Sequence, residues 1–180
     1  QVELSHQMLD TMLNGSIALC DAGTGIGKTY AYLVAGVVFR RYRSRAGLPN
    51  QPLLISTSSI ALQGAIIHDY LPFLSKVMMA DGMLDSPLRA VLRKGKSHYV
   101  CDARLMKRLQ TANLDRKNPL AKAALLSMRD HLDLDMAPHL SGYDRERICV
   151  PPTCDCGKTE CRYLCYLDVC ASERYAIQVC

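Results

Sequence analysis

Residues 21–29 combine glycines, a lysine and a threonine in an order suited to binding the phosphates of a triphosphate. The glycines let backbone N–H groups turn inward around the phosphates, and a helix beginning near Lys28 directs its positive dipole end at the same anion. We expect Lys28 to reach the β and γ phosphates and Thr29 to ligate Mg²⁺. The stretch is therefore interpreted as a phosphate-binding loop. Its residues are Asp21, Ala22, Gly23, Thr24, Gly25, Ile26, Gly27, Lys28 and Thr29.

The segments around this loop predict an α/β fold. Residues 17–20 are short and apolar, as expected of a buried parallel strand, and residues 29–45 carry an apolar helical face. A second apolar strand at residues 53–56 would complete a right-handed β-α-β unit. Further helices are predicted over residues 1–13 and 60–70, the latter ending before Pro72.

Cysteines are the second group of residues with chemical potential. The chain has nine, and seven of them lie between Cys149 and Cys180. A phosphate-binding loop belongs in a reducing compartment, so we interpret the cysteines as metal ligands rather than disulfides. Thiolates bind iron–sulfur clusters and zinc alike, and spacing alone does not choose between them. Cys20 and Cys180 are expected in apolar strands, and Cys170 near the return to the core.

Two further stretches suggest contact with nucleic acid, each with a simpler alternative. Hydroxyl groups at residues 57–59 precede a predicted helix and could bind a phosphate backbone, or could simply cap that helix. Residues 92–101 interleave basic side chains with Tyr99, which suits a nucleic-acid strand but also a solvated turn. Arginines at 40, 41, 43 and 45 are interpreted as a solvated helix end.

Composition limits the remaining possibilities. The 180 residues carry a net charge of +5, and 14 of the 22 basic residues are arginine, which permits phosphate contacts. No apolar run approaches the length that crosses a bilayer, so we expect an intracellular, cytoplasmic protein without membrane attachment. Helices are predicted at residues 103–109 and 120–131 with a linker at 113–119, and residues 133–152 are predicted to be loop. Residues 73–92 give no clear pattern.

Taken together, these motifs resemble the DinG branch of the XPD-like superfamily 2 DNA helicases. The agreement covers the phosphate-binding loop, residues 56–72, residues 94–101 and the position of Gln7. The resemblance implies a fragment of a RecA-like motor domain with a parallel sheet, interrupted by a helical, cysteine-rich iron–sulfur insertion. It also implies ATP, Mg²⁺ and a [4Fe-4S] cluster, with 5′ to 3′ translocation on single-stranded or forked DNA. DNA repair is one of several biological roles that the resemblance leaves open.

The resemblance assigns roles to individual residues. ATP binding falls to Gln7 and to residues 22–29, with Lys28 and Thr29 as the catalytic pair. The cluster ligands would be Cys101, Cys156, Cys161 and Cys165, and the DNA contacts Thr57, Ser58, Ser59, Gln63, Lys96 and Tyr99. Three residues separate Cys161 from Cys165 where the family tends to have about five, so Cys149 and Cys154 remain alternative ligands.

The implied organisation is a motor-domain segment at residues 1–92, the iron–sulfur insertion at 93–170, and a return to the motor domain at 171–180. We expect a monomer whose fold continues past Cys180, with an acidic Asp-Glu pair within a few tens of residues. The 180-residue chain alone is expected to hydrolyse ATP poorly. Two other readings stay open: a non-catalytic zinc or iron–sulfur module that binds nucleic acid, and another phosphate-loop NTPase, such as a small-molecule kinase.

Overall fold

The chain forms two compact units, seen in a computed structural model that describes residues 1–111, 119–154, 156–157, 161–172 and 175–180. The first unit comprises Gln1–Arg93 together with Ser172–Cys180, and the second comprises Lys94–Ala171. Helices and a small parallel sheet build the first unit, which confirms the predicted α/β class. In the described part of the chain, no helix is both long and apolar enough to cross a membrane.

The described part of the first unit contains four α-helices. They are α1 (Val2–Leu13), α2 (Lys28–Arg45), α3 (Ile60–Ala65) and α4 (Leu71–Ala80), and a π-helical turn (Ile66–Tyr70) joins the last two. The helices predicted over residues 1–13 and 29–45 are confirmed. Helix α2 presents Leu33 and Val37 to a core shared with the sheet.

The sheet consists of three short parallel strands in the order β1-β3-β2. They are β1 (Leu53–Ile55), β2 (Ala90–Leu92) and β3 (Ile177–Val179), so the segment nearest the end of the chain lies in the middle. Ile177 and Val179 are fully buried against α2 and α4, as their apolar side chains on one strand face require. The strands predicted near residues 53–56 and 175–180 are confirmed.

The strand predicted at residues 17–20 is not formed. This segment is irregular, and Ile17 and Leu19 are 93% and 99% exposed. A strand persists only when its N–H and C=O groups pair with a neighbour, and among the described residues the sheet contains three strands, none of them residues 17–20. The predicted β-α-β unit is therefore incomplete, and Cys20 is exposed rather than held in a buried strand.

The helix predicted to stop before Pro72 continues through it. The N–H of Leu71 bonds to the carbonyl of Ile66, five residues earlier, which marks the π-helical turn. Pro72 lies in the first turn of α4, where proline's missing N–H costs little. Residues 73–92, which showed no clear pattern, contain most of α4 and all of β2.

The second unit is largely helical. It contains α5 (Asp102–Thr111), α6 (Pro119–Ser127), α7 (Gly142–Ile148) and α8 (Arg162–Cys170), with short 3₁₀ turns at Lys96–His98 and Leu134–Met136. The two helices predicted after residue 101 are confirmed, although α6 ends at Ser127. Residues 112–118, most of the predicted linker, lie outside the described residues. The core of the second unit is formed by large apolar side chains that are buried together: Leu105, Leu125, Met128, Leu134 and Ile148.

Helix α7 corrects the prediction that residues 133–152 are loop. Ser141 accepts a hydrogen bond from the Asp144 N–H at 3.1 Å and donates its hydroxyl to the Asp144 carboxylate at 2.7 Å. This capping arrangement begins a seven-residue helix that buries Ile148. Seven residues with one buried apolar position are too few for helical periodicity to stand out in the sequence.

Candidate functional site

The phosphate-binding loop connects the irregular residues 17–20 to the first turn of α2. Gly25 and Gly27 have φ values of 81° and 77°, in the left-handed region that glycine adopts without strain. Gly27 is the residue immediately before α2, and a Cβ there would overlap the Gln1 side chain. Gln1 donates its amide to the Gly27 carbonyl at 3.2 Å. The backbone angle therefore favours glycine at position 27, whereas the exposed Gln1 side chain could move aside for a Cβ.

The Lys28 side chain folds back over this loop. Its ammonium donates to the carbonyls of Ala22 and Gly23 at 2.8 and 2.7 Å. These two bonds hold the charge at the loop, at the N-terminal end of an 18-residue helix whose dipole adds positive potential. The arrangement is suited to receiving a phosphate, for which the ammonium would exchange its carbonyl partners.

Thr29 lies in the first turn of α2, and its hydroxyl is hydrogen-bonded to the phenol of Tyr32. Burial raises the pKa of Tyr32, against the opposing effect of this bond, so the phenol stays protonated near neutral pH. The Thr29 oxygen supplies one hard ligand of the kind Mg²⁺ prefers. Gln7, the predicted adenine contact, is exposed on α1 and donates to Glu3 at 3.1 Å.

The predicted DNA contacts after β1 form a hydrogen-bonded turn. Ser59 caps α3 by accepting from the Leu62 N–H at 3.2 Å, and the Thr57 hydroxyl accepts from the Ser59 N–H at 3.2 Å. Gln63 is only 6% exposed and donates to the Thr57 carbonyl at 2.9 Å. Gln63 therefore fixes the shape of the turn, while the Ser58 side chain is exposed.

In the second unit, an ion network organises the residues that precede Cys101. The Lys94 ammonium lies 2.6 Å from Asp133 and 2.7 Å from Asp135, and its side chain is 8% exposed. Burial alone would lower the pKa of Lys94, but the two carboxylates outweigh it and raise that pKa. Burial would likewise raise the pKa of Asp135, whereas Lys94, Arg145 and His98 lower it. The segment is thus a tied structural turn rather than a solvated one.

Tyr99 is not available to stack on a base, which corrects its predicted role. It is 3% exposed, with its ring 5.1 Å from that of Tyr163 and 5.4 Å from that of Tyr166. Its hydroxyl accepts from the Lys94 N–H at 2.8 Å. Lys96 is exposed and donates to the Pro152 carbonyl at 3.1 Å.

Four cysteines gather beside these tyrosines, a group we call the thiol cluster: Cys101, Cys154, Cys156 and Cys161. Hydrogen bonding and charge repulsion from Cys154, with smaller contributions from burial, Cys101 and Cys161, raise the pKa of Cys156 to about 11. The other three sulfurs therefore lie close enough to Cys156 to affect its pKa. Cys161 is the residue immediately before α8.

The surroundings of Cys165 differ from those of the thiol cluster. It lies within α8 rather than on a loop, and its side chain is exposed. The structure thus collects three of the predicted ligands together with Cys154, one of the two alternatives. No disulfide joins cysteines in the described part of the chain. Across these residues, no three Cys, His, Asp or Glu side chains converge closely enough to hold a metal ion as they stand.

A basic surface on the second unit was missed by the sequence analysis. Arg104, Lys107 and Arg108 on α5, with Arg147 on α7, line a cavity of about 260 Å³. The exposed ring of Tyr143 lies beneath the guanidinium of Arg147, 4.3 Å from ring centroid to Cζ. The spacing of the three α5 residues was visible as one helical face. Arg147 could not be added because α7 was not predicted.

The sequence of this chain is similar to those of several known proteins. No family model matches the chain. It is 30% identical over 126 residues, 70% of its length, to the 3′-5′ exonuclease DinG of Bacillus subtilis, covering 12% of that protein. It is 35% identical over 85 residues, 47% of its length, to the ATP-dependent DNA helicase DinG of Photobacterium profundum, covering 10% of it. The predicted resemblance to DinG-type helicases is confirmed.

A third DinG-type relative agrees with these two. The ATP-dependent DNA helicase YoaA of Haemophilus influenzae is 30% identical over 122 residues, which cover 68% of this chain and 17% of that protein. The chain therefore spans less than a fifth of the length of each of these relatives. The similarity therefore concerns one segment of these relatives. The Bacillus relative is named an exonuclease, but the matched residues cover only 12% of that protein.

Proposed function

We propose that this chain is the ATP-binding segment of an ATP-dependent DNA helicase. The observation that carries the proposal is the Lys28 ammonium, held over a glycine loop at the N-terminus of α2. Two of the relatives described above are named ATP-dependent DNA helicases, which supports ATP as the nucleotide and DNA as the partner. Residues 1–92 and 171–180 of the chain would belong to a motor domain, and residues 93–170 would form an insertion within it.

In this proposal the loop residues bind and orient the triphosphate. The N–H groups of residues 23–29 and the α2 dipole face the phosphates, and Lys28 neutralises charge on the β and γ groups. The Thr29 oxygen would help to hold Mg²⁺, and a bound Mg²⁺ would supply positive charge beside the phosphates. Gln7 remains the proposed adenine contact, although it bonds to Glu3 in this structure and would have to change partner.

Substitution of Lys28 tests the proposal. In the complete protein, Lys28→Ala is expected to reduce DNA-stimulated ATP turnover by roughly 100-fold or more, because no other side chain replaces this charge on the phosphates. Turnover is measured by phosphate release. Lys76→Ala, which removes an exposed lysine from α4, serves as the control and should retain normal turnover. Wild-type turnover by the Lys28 variant would mean that the site lies elsewhere.

We further propose that the second unit is an iron–sulfur domain with Cys101, Cys154, Cys156 and Cys161 as ligands. Four neighbouring thiols are the donor set that a [4Fe-4S] cluster requires, and repulsion among their thiolates would be offset by a bound cation. The cluster would tie distant chain segments together. Zinc would fit the same thiols, but iron–sulfur protein is brown whereas zinc protein is colourless.

Single-stranded DNA is the proposed polymer, with translocation from 5′ to 3′. The basic surface formed by α5 and α7 supports this choice, because it combines several cations with an exposed aromatic ring. Thr57, Ser58 and Lys96 are additional proposed contacts with the phosphate backbone. Ser59 and Gln63 act as positioning residues for the turn that contains Thr57.

A further inference from the structure

The arginines at the C-terminal end of α2 line a cavity instead of forming only a solvated helix end. Arg40, Arg41 and Arg45 from α2 and Arg89 from the residue before β2 border a volume of about 490 Å³ in the first unit. The phosphate-binding loop precedes the other end of α2. Since the helix has 18 residues and rises about 1.5 Å per residue, the two regions lie roughly 20 Å or more apart.

Two of these arginines are held in place by backbone carbonyls. Arg40 donates to the carbonyl of Ala176 at 3.0 Å and to that of Gln51, and Arg41 donates to the carbonyl of Gly82 at 3.4 Å. Carbonyl partners orient a guanidinium without neutralising its charge. Burial lowers the pKa of Arg40, so a nearby anion would relieve the cost of keeping this group charged.

The charge around the cavity is unbalanced. Four guanidinium groups and one carboxylate, Asp85, line it, which gives a net charge of four minus one, or +3. Among the described residues, no ion pair joins any of these four arginines to a carboxylate. Concave surfaces with one sign of charge and preorganised donors concentrate counter-ions of the opposite sign.

The cavity also has an apolar part. Val37, Met83 and Leu88 lie among its lining residues, beside the charged rim. Fork-shaped guanidinium donors match the oxygens of a phosphate, and an apolar floor accepts the face of a sugar or base. A simple inorganic anion would use the rim alone, whereas a nucleoside phosphate would use both.

We propose that this cavity is a second phosphate site, which binds a nucleoside phosphate carried either by a free nucleotide or by a nucleic-acid strand. Arg41, Arg45 and Arg89 contact the phosphate, and Arg40 shapes the inner wall. The site is separate from the phosphate-binding loop and does not depend on ATP turnover. A bound phosphate would place negative charge beside Arg89 and Ala176, the residues that precede β2 and β3.

Protection of arginines from phenylglyoxal tests this site directly. The 180-residue chain carrying Lys28→Ala, which disables the phosphate-binding loop, is modified with and without AMP or the oligonucleotide dT12, and peptides are quantified by mass spectrometry. At a ligand concentration about ten times Kd, modification of Arg45 and Arg89 should slow about tenfold. Arg43, on the same helix but outside the cavity lining, should react at an unchanged rate.

The two probes distinguish the source of the phosphate. Protection by AMP alone indicates a free nucleotide, and protection by dT12 alone indicates a strand; either result supports the site. Ser86→Glu places a carboxylate at the cavity without removing an arginine and should abolish protection, while Ala80→Glu adds the same charge outside the lining and should not. Equal modification rates with and without both probes, or equal protection of Arg43, would overturn the proposal.

Discussion

Cys154 and Cys165 have different surroundings, although either could complete a set of four thiols. Cys154 packs in the thiol cluster and hydrogen-bonds to Cys156, whereas Cys165 is exposed on α8. A ligand must reach the same cluster as Cys101 and Cys161, both of which are buried. The surroundings of the side chains therefore favour Cys154 over Cys165, which the resemblance to the family had assigned as a ligand.

Replacing these two cysteines separately distinguishes the ligand sets. In protein prepared without air, Cys154→Ser is expected to lose most of its iron and visible absorbance, because a cluster that lacks one thiolate is unstable. Cys165→Ser should retain both. Iron per chain and the absorption spectrum are the measurements. Full iron in Cys154→Ser together with loss in Cys165→Ser would return the assignment to Cys165.

Asp135 makes the stability of the second unit depend on pH. Its pKa is lowered in the folded protein, so its contribution to stability is present above its unfolded value near 3.8 and disappears as pH falls through the folded pKa. Asp135→Asn should lower the free energy of unfolding by roughly 1–2 kcal/mol at pH 7. In urea titrations, the difference in free energy of unfolding between Asp135→Asn and wild type should become smaller below about pH 4.

Asp130→Asn is the matched control for this experiment. Asp130 is exposed in the same unit, and its substitution should leave the urea midpoint nearly unchanged at both pH values. A gap between wild type and Asp135→Asn that stays constant from pH 7 to pH 3 would mean that the Lys94 network does not act through charge.

At the scale of elements, the approach of α2 to β1 depends on Gly36. A Cβ at this position would overlap the Leu53 side chain, whereas a Cβ at Gly64 in α3 would meet no atom within 4 Å. Helix propensity favours a larger residue at both positions. Packing therefore decides the difference between these two glycines.

Opposite effects on stability are expected from substitutions at these glycines. Gly36→Leu should lower the free energy of unfolding by about 1–3 kcal/mol, because the added side chain overpacks the contact with β1. Gly64→Ala should raise it by about 0.5–1 kcal/mol through helix propensity alone. Chemical denaturation measures both values. Equal shifts of the same sign would contradict the close packing of α2 on β1.

The pairing of α5 with α7 predicts which cations bind DNA. Lys107→Gln combined with Arg147→Gln should weaken dT12 binding about tenfold and lower the slope of log affinity against log salt by about 1.4, because two contacts with single-stranded phosphates are lost. Fluorescence anisotropy at several salt concentrations supplies both numbers. Lys122→Gln with Arg129→Gln removes the same charge from exposed positions in this unit and should change affinity less than twofold.

At the scale of the whole molecule, the 180 residues contain the proposed ATP-binding loop but no adjacent Asp-Glu pair to hold Mg²⁺ and position water. We expect the 180-residue chain to bind ATP and to hydrolyse it slowly or not at all. Calorimetry measures binding and phosphate release measures turnover. Rapid hydrolysis stimulated by single-stranded DNA would show that the 180 residues contain a complete active site.

Local patterns in the sequence identified the elements that depend on local interactions. The glycine loop, α1, α2 and the apolar strands at β1 and β3 follow from residue types at short spacing. Features set by distant partners were not predictable. Residues 17–20 have the composition of a strand but no paired neighbour, and Tyr99 is buried because α8 supplies Tyr163 and Tyr166. Cys154 joined the thiol cluster through packing that spacing does not encode.

The central position of β3 has a consequence for the order of events during synthesis. Within the described residues, β1 and β2 both pair with β3, which is translated after the whole of the second unit. At about 5–20 residues per second, β1 waits several seconds on the ribosome without its partner. The second unit, with its contacts between nearby helices, can fold during this delay. We therefore expect the second unit to become protease-resistant first, while β1 and β2 stay protease-sensitive at least until β3 emerges.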